Sequence, residues 1–178
     1  MIRVISDDTT AALKSWTGRP SLIIDESDAE FDSIRLALAG GYGGTSHKNC
    51  KGVFRGIANA CLLCLQRRVQ PERVIPQTGK VVVNVGPVAL LHDIAVQSVH
   101  GVESAERNGL HYSRGISLLP AGVHAQMLAA HSDLYRQLEQ GVATLAIHRG
   151  NLEVGSVVAA PFGVGLAIVV VTIADRYP

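Results

Sequence analysis

The chain has 178 residues, 47% of them hydrophobic, 4% aromatic and 17% charged, with a formal net charge of +1. That suffices for one good core in a single domain but falls short of a complete (β/α)8 barrel, which takes at least ~200 residues. Scattered basic residues and few aromatics exclude a phosphate-tracking or base-stacking surface, so nucleic acid is not an expected partner. Cys50, Cys61 and Cys64, with no charged-then-apolar segment before them, read as reduced thiols of a cytoplasmic protein.

Asp7, Asp8 and Thr9 ahead of Ala11-Ala12-Leu13-Lys14 predict a short capped helix that ends near Gly18 and Pro20. Residues 21–26 read as a strand. Ser27-Asp28-Ala29-Glu30 has capping-box spacing, and Phe31, Ile34, Leu36 and Leu38 give the helix after it an apolar face, stopped by Gly40-Gly41. Asp25 and Glu26 thus fall at a strand-to-helix junction. The plan repeats with a strand at 42–47, a loop from Lys48 to Gly52 and a helix over 53–69 whose apolar positions are Phe54, Ile57, Ala58, Cys61, Leu62 and Leu65. Val81-Val82-Val83 is the third strand, and Pro87 sits in the first turn of a helix reaching Val99. A fourth strand is expected at 101–104, a polar loop at 106–115 and a helix at 121–138. Beyond Gly141 the pattern becomes strands, at 143–148 and 152–158 around an Arg149-Gly150-Asn151 turn. The tail over 155–174 has too short an apolar core for the ~18 residues of a membrane span. Its β-branched residues predict a buried strand.

Alternating strand and helix implies parallel strands with right-handed crossovers. The expected fold is α/β, a partial (β/α)8 TIM barrel of about four β/α units over residues 1–142, followed by a β-rich C-terminal extension and apolar tail over 143–178.

In that layout Asp25, Glu26, Lys48 and Lys51 lie at the C-terminal ends of neighbouring strands, where barrel enzymes build active sites. A carboxylate for a divalent metal beside a lysine for a proton is the minimum for removing a proton α to a carboxylate. As a base, Lys48 needs a lowered pKa, from burial or a nearby cation. The plainer reading makes Asp25 and Glu26 caps of a helix dipole and the two lysines solvated loop residues. Strand alternation points Ser46 and Lys48 one way and His47 the other, towards the helices. Cys61-x-x-Cys64 lies inside a helix without a second ligand pair at zinc-finger spacing, so core packing is expected of it. Glu103, Glu106, Arg107 and Asn108 follow the fourth strand and either meet a carboxylate substrate or pair among themselves. His124 and His131 read as surface or packing residues of their helix.

Ile23-Ile24-Asp25-Glu26-Ser27, one β/α unit, and then a strand ending in Lys48-Asn49-Cys50-Lys51-Gly52 resemble the enolase superfamily in its muconate-lactonizing and mandelate-racemase branch. Residues 45–63 and 84–91 are similar to a racemase-like subgroup, and the resemblance runs from residue 21 to about 165. It implies strands five to eight of the barrel, with Asp25 as a Mg2+ ligand and Lys48 as the acid/base; Glu26, Lys51, Glu103 and Asn108 are, by their position, candidates for contact with the substrate or with these two residues. The implied activity is abstraction of the α-proton of a small carboxylate, leading to racemisation, dehydration or cycloisomerisation. No histidine falls at residues 81–84, which favours the lysine-based chemistry. The family's capping domain, its lysine pair and its two other carboxylate ligands have no counterpart here. The isolated chain is therefore expected to be inactive, with Mg2+ weakly bound or absent. The alternative is a non-catalytic half-barrel that forms a homo-oligomer or complements a separate N-terminal half.

Overall fold

A computed structural model describes residues 6–82, 87–108, 116, 119–139 and 141–165. The chain forms two compact units, Met1–Val81 with Val96–Glu106, and Val82–Ala95 with Arg107–Pro178. The boundary expected at 142/143 falls inside the second.

Helix α1 (Asp7–Ser15) opens the first unit. The Ser6 hydroxyl accepts the Thr9 N–H at 3.1 Å, and Asp7, Asp8 and Lys14 complement the helix dipole. Strands β1 (Ile23–Ile24), β2 (Gly44–His47), β3 (Gln77–Val82) and β4 (Ala105–Asn108) form a four-stranded parallel sheet in sequence order. They alternate with helices α2 (Ser33–Ala39), α3 (Val53–Val69) and α4 (Pro87–Val99). Among the described residues no helix is long and apolar enough to cross a membrane.

Register assigns the two sheet faces. Thr45 pairs with Gln77, Ser46 with Thr78 and His47 with Gly79, so Thr45, His47, Gln77 and Gly79 share one face and Ser46 and Thr78 the other. The first face meets the helices. Thr45 Oγ1 donates to the buried Asp28 carboxylate at 2.9 Å, Asn59 Nδ2 donates to the same oxygen at 3.0 Å, and Gln77 Nε2 donates to the Gly56 carbonyl at 3.3 Å. A Cβ at Gly79 would collide with the Gln97 amide, so glycine there lets α4 close on β3. Ile34, Leu63 and Ile75, with Leu38 and Leu62, form the apolar core between α2, α3 and the sheet.

Several expected elements move. Helix α2 starts at Ser33 instead of Ser27, because the Asp28 N–H bonds the Asp25 carbonyl and its carboxylate is held by Thr45 and Asn59, which ties the segment into turns. Strand β3 begins at Gln77, four residues before the expected start, and β4 follows the expected 101–104 segment instead of coinciding with it. The buried face of α3 is Gly56, Asn59 and Leu63, whereas Phe54, Ile57, Cys61, Cys64 and Leu65 are exposed. Core packing therefore does not account for the cysteine pair. Small residues on the inner face bring the helix close to the sheet, and this outweighs apolar content.

In the second unit α5 (Ala121–Ala130) ends eight residues early. β5 (Tyr135–Gln137) pairs antiparallel with β6 (Ala143–Leu145), and β7 (Ile147–His148) with β8 (Asn151–Leu152). Arg149 and Gly150, at φ 51° and 84°, make the β7–β8 turn, as tight hairpins require. Gly155–Ala159, expected as strand, is a short helix, α6, followed by a 3-10 turn at Pro161–Gly163. The chain breaks after α5 because Asp133 is used elsewhere: its carboxylate accepts the Ser156 N–H at 2.8 Å and the Ser156 hydroxyl, capping α6. His131 and His124 are both buried packing residues; His131 Nδ1 lies 2.9 Å from Ser156 Oγ, and His124 Nε2 2.7 Å from the Ile116 carbonyl. The end of the third strand at 83–84, most of the polar loop and the tail beyond 165 lie outside the described residues.

Candidate functional site

The sheet face opposite the helices carries a row of charge level with the C-terminal ends of β1 and β2. Asp25 stands two residues beyond Ile23, which pairs with Gly44; Lys48 stands two beyond Ser46 and Lys80 two beyond Thr78. The two-residue repeat puts these side chains on one face. Glu26 joins from the β1 loop, Lys51 from the 3-10 turn Asn49–Lys51, and Glu106 from β4. Ile23, Asp25, Ser46, Thr78, Gly79, Ser104, Ala105 and Glu106 line a cleft of about 270 Å3.

Asp25 is the hub. Its Oδ1 accepts from Lys51 Nζ at 2.8 Å and lies 2.9 Å from Lys48 Nζ; its Oδ2 lies 3.8 Å from Lys80 Nζ. Lys51 Nζ also donates to the Asp25 carbonyl at 2.7 Å and the Ser46 carbonyl at 3.0 Å, so all three of its N–H bonds are used. Lys48 Nζ donates to Glu26 Oε1 at 2.5 Å, and Lys80 Nζ lies 3.6 Å from Glu106 Oε2. The lysine side chains are 9% (Lys48), 11% (Lys51) and 15% (Lys80) exposed, against 33% for Asp25.

Burial pushes the Asp25 carboxyl upward, but hydrogen bonds from Lys51 and Lys48, with their charges, outweigh it and hold the group below its ordinary 3.8. Burial likewise pushes Lys48 down, and its bonds to Glu26 and Asp25 outweigh that and hold the ammonium above 10.5. The lowering that a base needs is not what this cluster produces. Lys48 keeps its proton and acts as a fixed positive charge.

The sequence-derived residues Asp25, Glu26, Lys48 and Lys51 are brought together. Asp25 and Glu26 do not cap α2, which starts at Ser33. Glu103 is exposed, and the side chain of Asn108 lies outside what is described. Lys80 was not legible, because Thr78-Gly79-Lys80 reads as a turn before a valine strand. Its signal is parity: it follows Thr78 as Lys48 follows Ser46. His47 faces the helices as alternation requires, buried against Gly56 and His100.

Mg2+ takes hard oxygen ligands in near-octahedral geometry. The Asp25 carboxylate is instead surrounded by three ammonium groups, and among the described residues no group of three His, Cys, Asp or Glu side chains could hold a metal. As arranged, the donor set does not fit the ion. Compared with known proteins, the chain matches no family model, no curated protein and no solved structure.

Proposed function

We propose that this segment is part of an enolase-type barrel wall whose charged cluster forms the carboxylate-handling side of a proton-transfer site. One observation carries this reading: three of the chain's four lysines converge with Asp25, Glu26 and Glu106 on the face away from the helices, level with the C-terminal ends of β1 and β2. Helices on one face and polar strand ends on the other are the layout of a barrel wall, where chemistry sits at that end. The resemblance of residues 21–52 to the enolase superfamily supports the same reading, with Asp25 and Lys48 in corresponding places. Complete relatives would remove the α-proton of a small carboxylate. In this segment Lys48 is charged and Asp25 is already neutralised, so it binds carboxylates without turning them over.

Ligand-observed NMR in D2O tests this with a panel of small 2-substituted carboxylic acids and their primary amides. Selective saturation transfer to the acids, with their α-protons retained, is expected. Equal transfer to acids and amides, or none to either, would overturn the reading, and deuterium entering the α-position would overturn the claim of inactivity.

A second reading rests on the edges of the sheet. β1, of two residues, and β4 border it among the described residues, and Phe54, Ile57 and Leu65 are exposed along α3. Unpaired strand edges and exposed apolar side chains favour assembly. On this reading the segment pairs with a second copy or with a separate barrel half as a non-catalytic partner. Sedimentation showing a clean monomer at micromolar concentration counts heavily against self-pairing.

A further inference from the structure

The three clustered lysines differ in how many of their N–H donors are used. Lys51 spends all three, on the Asp25 carboxylate and on two backbone carbonyls. Lys48 is held by two short contacts, to Glu26 and Asp25. Among the described residues Lys80 has only ion-pair contacts, at 3.6 Å to Glu106 and 3.8 Å to Asp25, both beyond hydrogen-bonding distance. Its side chain is 15% exposed, and both carboxylates beside it line the cleft. An ammonium brings three donors and no acceptor, and one held near a cleft with its donors unspent is poised for an anionic oxygen from outside the chain. Ser46, Thr78 and Ser104 on the same cleft are hydroxyl residues, suited to a small oxygen-rich acid.

We propose that Lys80 is the anion-binding residue of this site, taking the carboxylate of a small acid, while Lys48 and Lys51 are positioning residues that fasten Asp25. This rests on the carboxylate-handling reading and adds to it the group that contacts the ligand. Asp25 Oδ1 is committed to Lys48 and Lys51, and its Oδ2 stands 3.8 Å from Lys80 Nζ, beyond hydrogen-bonding distance, so it neighbours Lys80 without taking a donor. Glu106, 65% exposed, is the group an incoming carboxylate displaces.

The full chain carries only Lys14, Lys48, Lys51 and Lys80, so a carbon-13 spectrum of the lysine ε-methylenes holds four resolvable signals. Malonate is titrated at neutral pH, with the signals assigned by single Lys→Arg variants. The Lys80 signal is expected to shift saturably. Lys80→Met should weaken malonate at least tenfold, Lys80→Arg should recover part of the loss, and Glu106→Gln should tighten binding by removing the competing carboxylate. If Lys48 or Lys51 shifts and Lys80 does not, the carboxylate-handling reading survives and the assignment to Lys80 falls. If no lysine signal moves, both fall. The wild-type titration needs no variant to fold beyond those used for assignment, and circular dichroism checks that Lys80→Met is intact.

Discussion

On one face of the parallel sheet Asp25 and Lys48 remain ionised because each charge is met by an opposite one, while on the other face His47 and His100 are packed edge to face, ring centroids 4.7 Å apart. Among the described residues neither ring nitrogen of His100 has a hydrogen-bond partner, and burial first, then the charge His47 would carry, holds its pKa below 6.5. β2 supplies both faces, Lys48 to the first from just past its end and His47 to the second. Polar content alone therefore does not mark a site in this sheet. One face keeps its charge by pairing, and on the other burial disfavours the charged form of the His100 imidazole.

The largest blow to that contrast should come from Asp25→Ala, which strands two nearly buried ammonium groups. Breaking a fully buried pair costs about 3–5 kcal/mol, and since Asp25 is one-third exposed, about 2 kcal/mol is expected from urea unfolding. An unchanged midpoint would mean that the cluster is not what fastens this face. Next is Gly56→Ala on the imidazole side, where a Cβ would overlap the His47 ring and come within 2.9 Å of His100 Cε1. Overpacking at about 1–3 kcal/mol, less the ~1 kcal/mol that alanine gains in a helix, leaves a net loss of about 1 kcal/mol. A more stable variant would show that the rings can yield.

Acid and base should separate the two faces more finely. His100 binds its proton less readily folded than unfolded, so its neutral burial is fully accommodated above pH 6.5. Stability should fall as pH drops below 6.5 towards the folded pKa. His100→Leu should flatten that slope. Asp25 contributes stability above pH 3.8 that is lost as pH falls through its lowered folded pKa, and Lys48 contributes stability below pH 10.5 that is lost as pH rises through its raised one. The charged face should thus hold its contribution across the whole neutral range, and Asp25→Asn should remove the loss below pH 3.8. A chain whose stability is level from pH 7 to 5 would contradict the account of the imidazole face. The smallest effect belongs to neither face: Cys61→Ser and Cys64→Ser, on the exposed side of α3, should change stability by less than about 0.5 kcal/mol, and both thiols should label in the native state.

How much of this was legible follows from which physical rule each segment obeys. The first three strands and the three intervening helices of the sheet declare themselves because apolar runs and turn residues alternate, whereas β4 lies mostly in a stretch that reads as a polar loop; Ser46, His47 and Lys48 sort onto opposite faces by the two-residue repeat alone. Asp25 and Lys48 are likewise placed together by topology. Lys80 was hidden because Gly79 resembles a turn residue, whereas the missing side chain serves the approach of Gln97. Hydropathy points to Phe54 and Leu65 as the inner face of α3, while the helix is seated by Gly56 against two rings and by Asn59 against Asp28. The overrun of α5 had a similar origin. Asp133 closes a contact with Ser156, 23 residues on, which no local pattern reveals.

The crowding of Lys48, Lys51 and Lys80 at one strand end has a practical corollary. Only Lys14, on the exposed α1, presents a solvent-facing ε-amine. An amine-directed dye, biotin ester or resin should therefore couple among the lysines at that one place, tethering the molecule by its first helix and leaving the cleft open to the medium.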